Sequence, residues 1–181
     1  MTAYRRHYVP GGTYFFTVAL AERSHTLLVD HIDQLRNSLR QVKIAHPFHI
    51  VAMVVMPDHL HTVWTLPEGD HDYSTRWRQI KSGFSRLLPD GERISASRKA
   101  KAERGIWQRR FWEHTVRDEA DLIRCVDYIH FNPVKHGHVG AVSDWPHSSF
   151  HRFVQDGIYS PDWAGIIVLA TGSEDEYDGF R

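Results

Sequence analysis

Two histidines stand one residue apart in "MPDHLHTVW", Met56 to Trp64, directly after an apolar run. On an extended strand, side chains two residues apart project from one face, so His59 and His61 would point the same way. Neutral imidazole is the commonest metal ligand, which makes the pair a candidate seat for one divalent ion. The spacing alone decides little. With 14 histidines in 181 residues, chance supplies about one His-x-His. The chain carries a second, His136-Gly137-His138, in a turn-like context. A metal site therefore needs a third ligand.

The stretch "EADLIRCVDYIHFNP", Glu119 to Pro133, offers one. Leu122, Val126 and Ile129 recur at i, i+4 and i+7, the stripe of a helix facing a core. Tyr128 and Asn132 are four residues apart and stack on a different face, with Asp121 and Cys125 on the same flank. A carboxamide oxygen one turn from a phenol would bring a metal, a nucleophile and a docked phosphate within reach of each other. The residues alone are equally consistent with Tyr128 as a half-buried aromatic and Asn132 as a helix C-cap.

These groups need a sheet and a helix to hold them. "TYFFTVAL", Thr13 to Leu20, reads as a strand after Gly11-Gly12. Asp30 to His46 carries Ile32, Leu35, Leu39 and Val42 at helical spacing, with Pro47 as a stop. "FHIVAMVVM" has the length and continuous apolarity of a strand buried on both faces. "HLHTVWTL" follows across Pro57-Asp58 as its antiparallel neighbour. Ser74 to Leu88 is a second helix, with Trp77, Ile80 and Phe84 inward. The polar "DGERISASRKAKAERG" is expected to be mobile. "IWQRRFWEHTVR" reads as a strand, and Asp118 as the N-cap of the tyrosine helix, which Asn132-Pro133 would end. The order predicts an α+β fold: a ferredoxin-like antiparallel sheet, β-α-β-β-α-β, with an additional C-terminal helix carrying the tyrosine.

Length suits one domain with a full core. Cys125 is the sole cysteine, which excludes an internal disulfide and fits a reducing compartment. The start, "MTAYRRHYVPGG", has no apolar signal region. The longest apolar stretch, "IVAMVVM", is too short to cross a bilayer, so a cytoplasmic location is expected. The formal net charge of zero conceals segregation. Arg76 to Arg110 holds eleven Lys/Arg against three acids, and Gln155 to Arg181 six acids against one arginine. A basic middle suits a polyanion site, and equally a solvated charged loop.

"MPDHLH", followed by "GIWQRRFWEHTVRDEADLIRCVDYIHFNPVKHG", closely resembles the REP-associated tyrosine transposases, a branch of the single-tyrosine HUH transposases. "YRRHYVPGGTYFFTV", "TRWRQIKS" and "DWPHSSFHRFV" match the same family. The resemblance reaches about Gly165, which implies a catalytic domain over 1–165 and an acidic tail over 166–181. It implies that His59, His61 and Asn132 bind a divalent ion, Mg2+ or Mn2+, and that Tyr128 is the nucleophile. The expected substrate is single-stranded DNA folded into REP-type palindromic hairpins, cut through a 5′-phosphotyrosine intermediate.

Joined to the charge pattern, the family suggests DNA contacts from Arg5, Arg6, Arg76, Arg78, Lys81, Arg109 and Arg110. Trp107 would offer a stacking surface, although at least half of the aromatics in this region should be core. The acidic tail is expected to fold over the basic surface, and a monomer is expected over a dimer. Two rival functions remain on the residues: a hairpin DNA or RNA binder that does not cut, and a metal-dependent phosphohydrolase. Neither needs Tyr128.

Overall fold

The computed structural model describes residues 7–92 and 94–165. Arg5, Arg6 and the acidic segment 166–181 lie outside the described residues. Among the described residues four strands are present: β1 (Thr13–Ala19), β2 (His49–Val55), β3 (His59–Thr65) and β4 (Trp112–Thr115). Between and after them run α1 (Leu27–Asp30), α2 (Ile32–Ala45), α3 (Tyr73–Leu87), α4 (Ala96–Lys99), α5 (Glu119–Lys135) and α6 (Phe150–Gln155). The strands form one antiparallel sheet in the order β2-β3-β1-β4, the ferredoxin-like arrangement.

Alternation along β1 and β3 sorts their side chains onto two faces. Tyr14, Phe16, Val18, Leu60 and Trp64 join the core beneath α2 and α3, where Trp64 stacks on Trp77 with ring centres 4.3 Å apart. Phe15 and Val63 face the other way, and Cys125, Val126, Tyr128 and Ile129 of α5 cover them. The sheet is thus the middle of three layers. That explains why β1 is buried along nearly its whole length.

The apolar run of β2 was expected to be buried on both faces, and it is not. It is the outer strand, with His49 exposed and Ile50, Val51 and Met53 half-buried. Its free edge is closed from within the chain. Val55 N–H donates to His147 O at 2.9 Å, and Ser149 N–H to Met53 O at 2.8 Å.

Asp118 caps α5 as its residue type predicts, accepting from the Asp121 amide at 2.8 Å. The expected stop at Asn132-Pro133 falls one turn early. Pro133 lies inside the last turns of α5 and removes only the bond to Ile129. The stop is Gly137, at φ 70. Its amide bonds Val134 O at 3.0 Å while that of His138 bonds Pro133 O at 2.9 Å, the double bond of a Schellman ending. His136-Gly137-His138 therefore owes its spacing to a helix end.

The segment expected to be mobile is tied down among the described residues. Arg104 donates to Leu88 O at 2.8 Å and Pro89 O at 2.7 Å, and pairs with Glu92 at 2.6 Å. Composition shows that the segment is charged, but it does not show that its charges are spent internally. Among the described residues, no helix is long and apolar enough to cross a membrane.

Candidate active site

β3 turns His59 and His61 toward α5, with ring centres 4.9 Å apart at 82°. Each Nδ1 has a fixed partner. His59 Nδ1 lies 2.7 Å from Asp58 Oδ1. A carboxylate only accepts, so this nitrogen carries a proton, which leaves Nε2 as the nitrogen a metal could use. Asp58 is gripped in turn by Arg23. Burial opposes the Asp58 charge, but hydrogen bonds from His59 and Arg23, with their charges, outweigh it and bring the carboxyl to about 2. His61 Nδ1 pairs with Thr17 Oγ1 at 2.8 Å, because Thr17 stands directly opposite on β1.

His61 is 1% exposed, and its Nε2 has no hydrogen-bond partner among the described residues. Burial, then the neighbouring His59, His136, Lys135 and Arg23, push its basicity well below the usual range. Such a ring stays neutral at physiological pH, as a metal ligand must.

Tyr128 reaches the pair from α5. Its ring stands 5.2 Å from that of His61, at 78°, and edge-on to Phe15 at 5.9 Å. Farther along α5, His136 meets His59 at 5.4 Å. Asn132 stands one turn after Tyr128 on α5 and four residues before the C-cap His136. It is wholly buried, and neither its Oδ1 nor its Nδ2 has a partner among the described residues. An unsatisfied buried amide costs about 1–3 kcal/mol. The orphaned Asn132 oxygen and His61 Nε2 fit a bound cation. The structure thus brings Tyr128 and His136 against the imidazole pair, with Asn132 between them in sequence at the end of α5.

Sequence reasoning missed Thr17, Arg23, Asp58 and Lys135. Asp58 was findable as the carboxylate beside His59. Lys135 was findable as two turns beyond Tyr128, and its Nζ lies 4.9 Å from that ring centre. Thr17 and Arg23 arrive through tertiary pairing, which no local signal announces.

A second cluster, His114, Asp121 and Cys125, has its ligand-type atoms within 4.8 Å of one another. Asp121 there already accepts from His114 at 2.8 Å, the Arg117 amide at 3.0 Å and Arg124 at 3.2 Å. Its carboxylate is thus already engaged, and the group clasps β4 to the start of α5.

The expected DNA contacts divide. Arg76 is a correction: it is 3% exposed and bonds Pro47 O at 2.7 Å, Asp72 O at 2.9 Å and Asp70 at 2.7 Å. It pins the start of α3 to the α2–β2 turn, out of reach of DNA. Trp107 is likewise core, buried and donating to Lys81 O at 3.2 Å. Arg78, Arg109 and Arg110 are exposed, and Lys81 is half-buried. Arg109 pairs with Glu103 at 2.8 Å. Arg78, Lys81, Arg86, Arg98, Arg104 and Arg109 line a cleft of about 650 Å³ beside α3. That cleft belongs to the face of the sheet opposite the imidazole pair.

An imidazole pair on a ferredoxin-like sheet, closed by a tyrosine helix, is the frame of a single-tyrosine transposase. The chain belongs to the IS200-like transposase family, whose model matches residues 9–132, a span that includes His59, His61, Tyr128 and Asn132. More particularly, it is 50% identical over 174 residues to the REP-associated tyrosine transposase of Escherichia coli (strain K12), covering 96% of this chain and 98% of that one. A Haemophilus influenzae protein assigned provisionally to the same group is 46% identical over 166 residues, covering 91% and 94%. A solved REP-associated tyrosine transposase bound to a REP hairpin superposes with a TM-score of 0.79 at 49% identity, over 91% of this chain and 92% of that one.

Proposed function

We propose that this transposase cuts and rejoins single-stranded DNA at REP-type palindromic hairpins, with Tyr128 as nucleophile. The observation that carries the proposal is the Tyr128 ring against His61, whose buried Nε2 is unsatisfied, as is the buried Asn132 amide one turn after Tyr128. His59, His61 and Asn132 would hold a divalent ion, Mg2+ or Mn2+. When bound, such an ion polarises a phosphodiester and offsets the charge that grows on its oxygens.

The chain's own residues do the rest. Asp58 and Thr17 fix the tautomers of the two imidazoles. The Tyr128 hydroxyl loses its proton and its oxygen bonds to phosphorus. The P–O3′ bond breaks, and the departing 3′-oxygen takes up a proton to become a hydroxyl while the 5′-phosphate stays on the tyrosine. The ester conserves the bond, so a different 3′-hydroxyl can displace the phenol and complete transfer.

Arg78, Lys81, Arg109 and Arg110, with Arg5 and Arg6 on sequence grounds, would follow the hairpin backbone. Residues 1–165 would be the working unit, acting as a cytoplasmic monomer with 166–181 as its tail. The decisive experiment mixes protein, Mn2+ and a labelled hairpin oligonucleotide and looks for a covalent adduct on a denaturing gel. Wild type should form it and Tyr128→Phe should not. A hairpin binder that does not cut would give none with either, and a phosphohydrolase would cleave without one.

A further inference from the structure

We infer that Lys135 seats the phosphate under attack: its ammonium rests on the face of Tyr128 in the DNA-free protein and passes to a phosphate oxygen when a strand enters. This rests on the strand-transfer reading and deepens it, adding a residue supplied by neither the imidazole pair nor the basic cleft.

Lys135 lies seven residues beyond Tyr128 on α5, two turns along the side that also carries Asn132. Helical side chains lean toward the N-terminus, and this one runs back far enough to set Nζ 4.9 Å from the Tyr128 ring centre. The same ring stands against His61. Ammonium and imidazole therefore both contact the Tyr128 ring.

The permanent cations that act on His61 are Lys135 and Arg23. Arg23 is engaged by Asp58. A divalent ion on the imidazoles would add to this positive field, and like charges a few ångströms apart repel. The cluster is complementary to an anion that arrives later, and the incoming substrate is a chain of phosphates. A phosphate oxygen is a stronger partner for an ammonium than a ring face, and that difference favours the exchange on docking. It also uncovers the tyrosine ring as its hydroxyl must turn toward phosphorus. A compact ammonium with three donors suits this task. Its contact would strengthen as charge builds on the oxygens in the transition state.

The ordinary alternative is a lysine stem packed on an aromatic ring. Single-turnover adduct formation on a labelled REP-type hairpin with single-stranded flanks, in Mn2+, separates the two. Lys135→Gln should slow adduct formation roughly ten- to a hundredfold, leave hairpin affinity within about threefold, and be largely rescued by Lys135→Arg. Without DNA, Lys135→Gln should bind Mn2+ more tightly by electron paramagnetic resonance titration, since a nearby positive charge is gone. A normal wild-type adduct with an undiminished Lys135→Gln rate, or Mn2+ affinity unmoved by the substitution, overturns the inference alone. Absence of any wild-type adduct sinks the strand-transfer reading, and this inference with it.

Discussion

Asp58 Oδ1 sits 2.7 Å from His59 Nδ1, and Arg23 holds the same carboxylate from the other side. The ring is thereby oriented by a residue adjacent in sequence and anchored by one from the loop after β1. Replacing Asp58 by Ala should lower Mn2+ affinity roughly ten- to a hundredfold, the usual cost of losing such a support. Hairpin affinity should stay near wild type. Calorimetric titration with Mn2+ reads the first and filter binding the second; an Asp58→Ala protein with unchanged metal affinity would rule out the role.

Asn132 makes a prediction of opposite sign in the two metal states. In metal-free protein, Asn132→Leu removes an unsatisfied amide and should leave stability unchanged or raise it by about 1 kcal/mol. Wild type should gain stability on adding Mn2+, because a ligand bound only by the folded state stabilises it. Asn132→Leu should lose most of that gain. Thermal melts with and without Mn2+ decide it, and equal gains in both proteins would remove Asn132 from the ligand set.

Acid should unfold the protein partly through His130. Burial, with Arg152 and His151 nearby, pushes this imidazole down to about 3. The unfolded chain takes up the proton near pH 6.5 and the folded chain does not. His130 therefore contributes stability that is complete above pH 6.5 and drains away as pH falls toward 3. The slope approaches about 1.4 kcal/mol per pH unit. Asp127, whose carboxyl burial raises, opposes it at the acid end. Urea unfolding of metal-free wild type and His130→Leu between pH 4 and 7 should show a shallower dependence in the variant. Parallel curves would contradict the assignment.

Two arginines should behave in contrasting ways. Arg76→Ala breaks a buried set of bonds and should cost about 2–4 kcal/mol of stability, with little effect on hairpin affinity per folded molecule. Arg110 is exposed and has no bonded partner among the described residues. Its replacement by Ala should leave stability within about 0.5 kcal/mol and lower the salt dependence of binding by about one unit of slope. Urea titration beside salt-dependent hairpin binding tests both, and a reversal of the pattern would refute the placement.

The sheet and tyrosine helix were legible because their signals are periodic. His59 and His61 flank Leu60, which enters the opposite core, and the stripe on α5 with its Asp118 cap marks a helix from composition alone. The basic segment was not legible in the same way. Arg76 and Arg78 look equivalent in "TRWRQ", yet one is buried against Asp70 and the other faces outward. Their difference lies in helical phase relative to a distant turn. The second His-x-His misled in the other direction: its bland helix-end geometry still brings His136 to the ring of His59.

The backbone of residues 147–149 that runs beside β2 has a consequence for behaviour in concentrated solution. It occupies the amide and carbonyl groups through which another copy would otherwise extend the sheet at that margin. Growth of cross-strand aggregates there is blocked by the molecule itself, and removing this short clamp would turn a quiet border into an adhesive one.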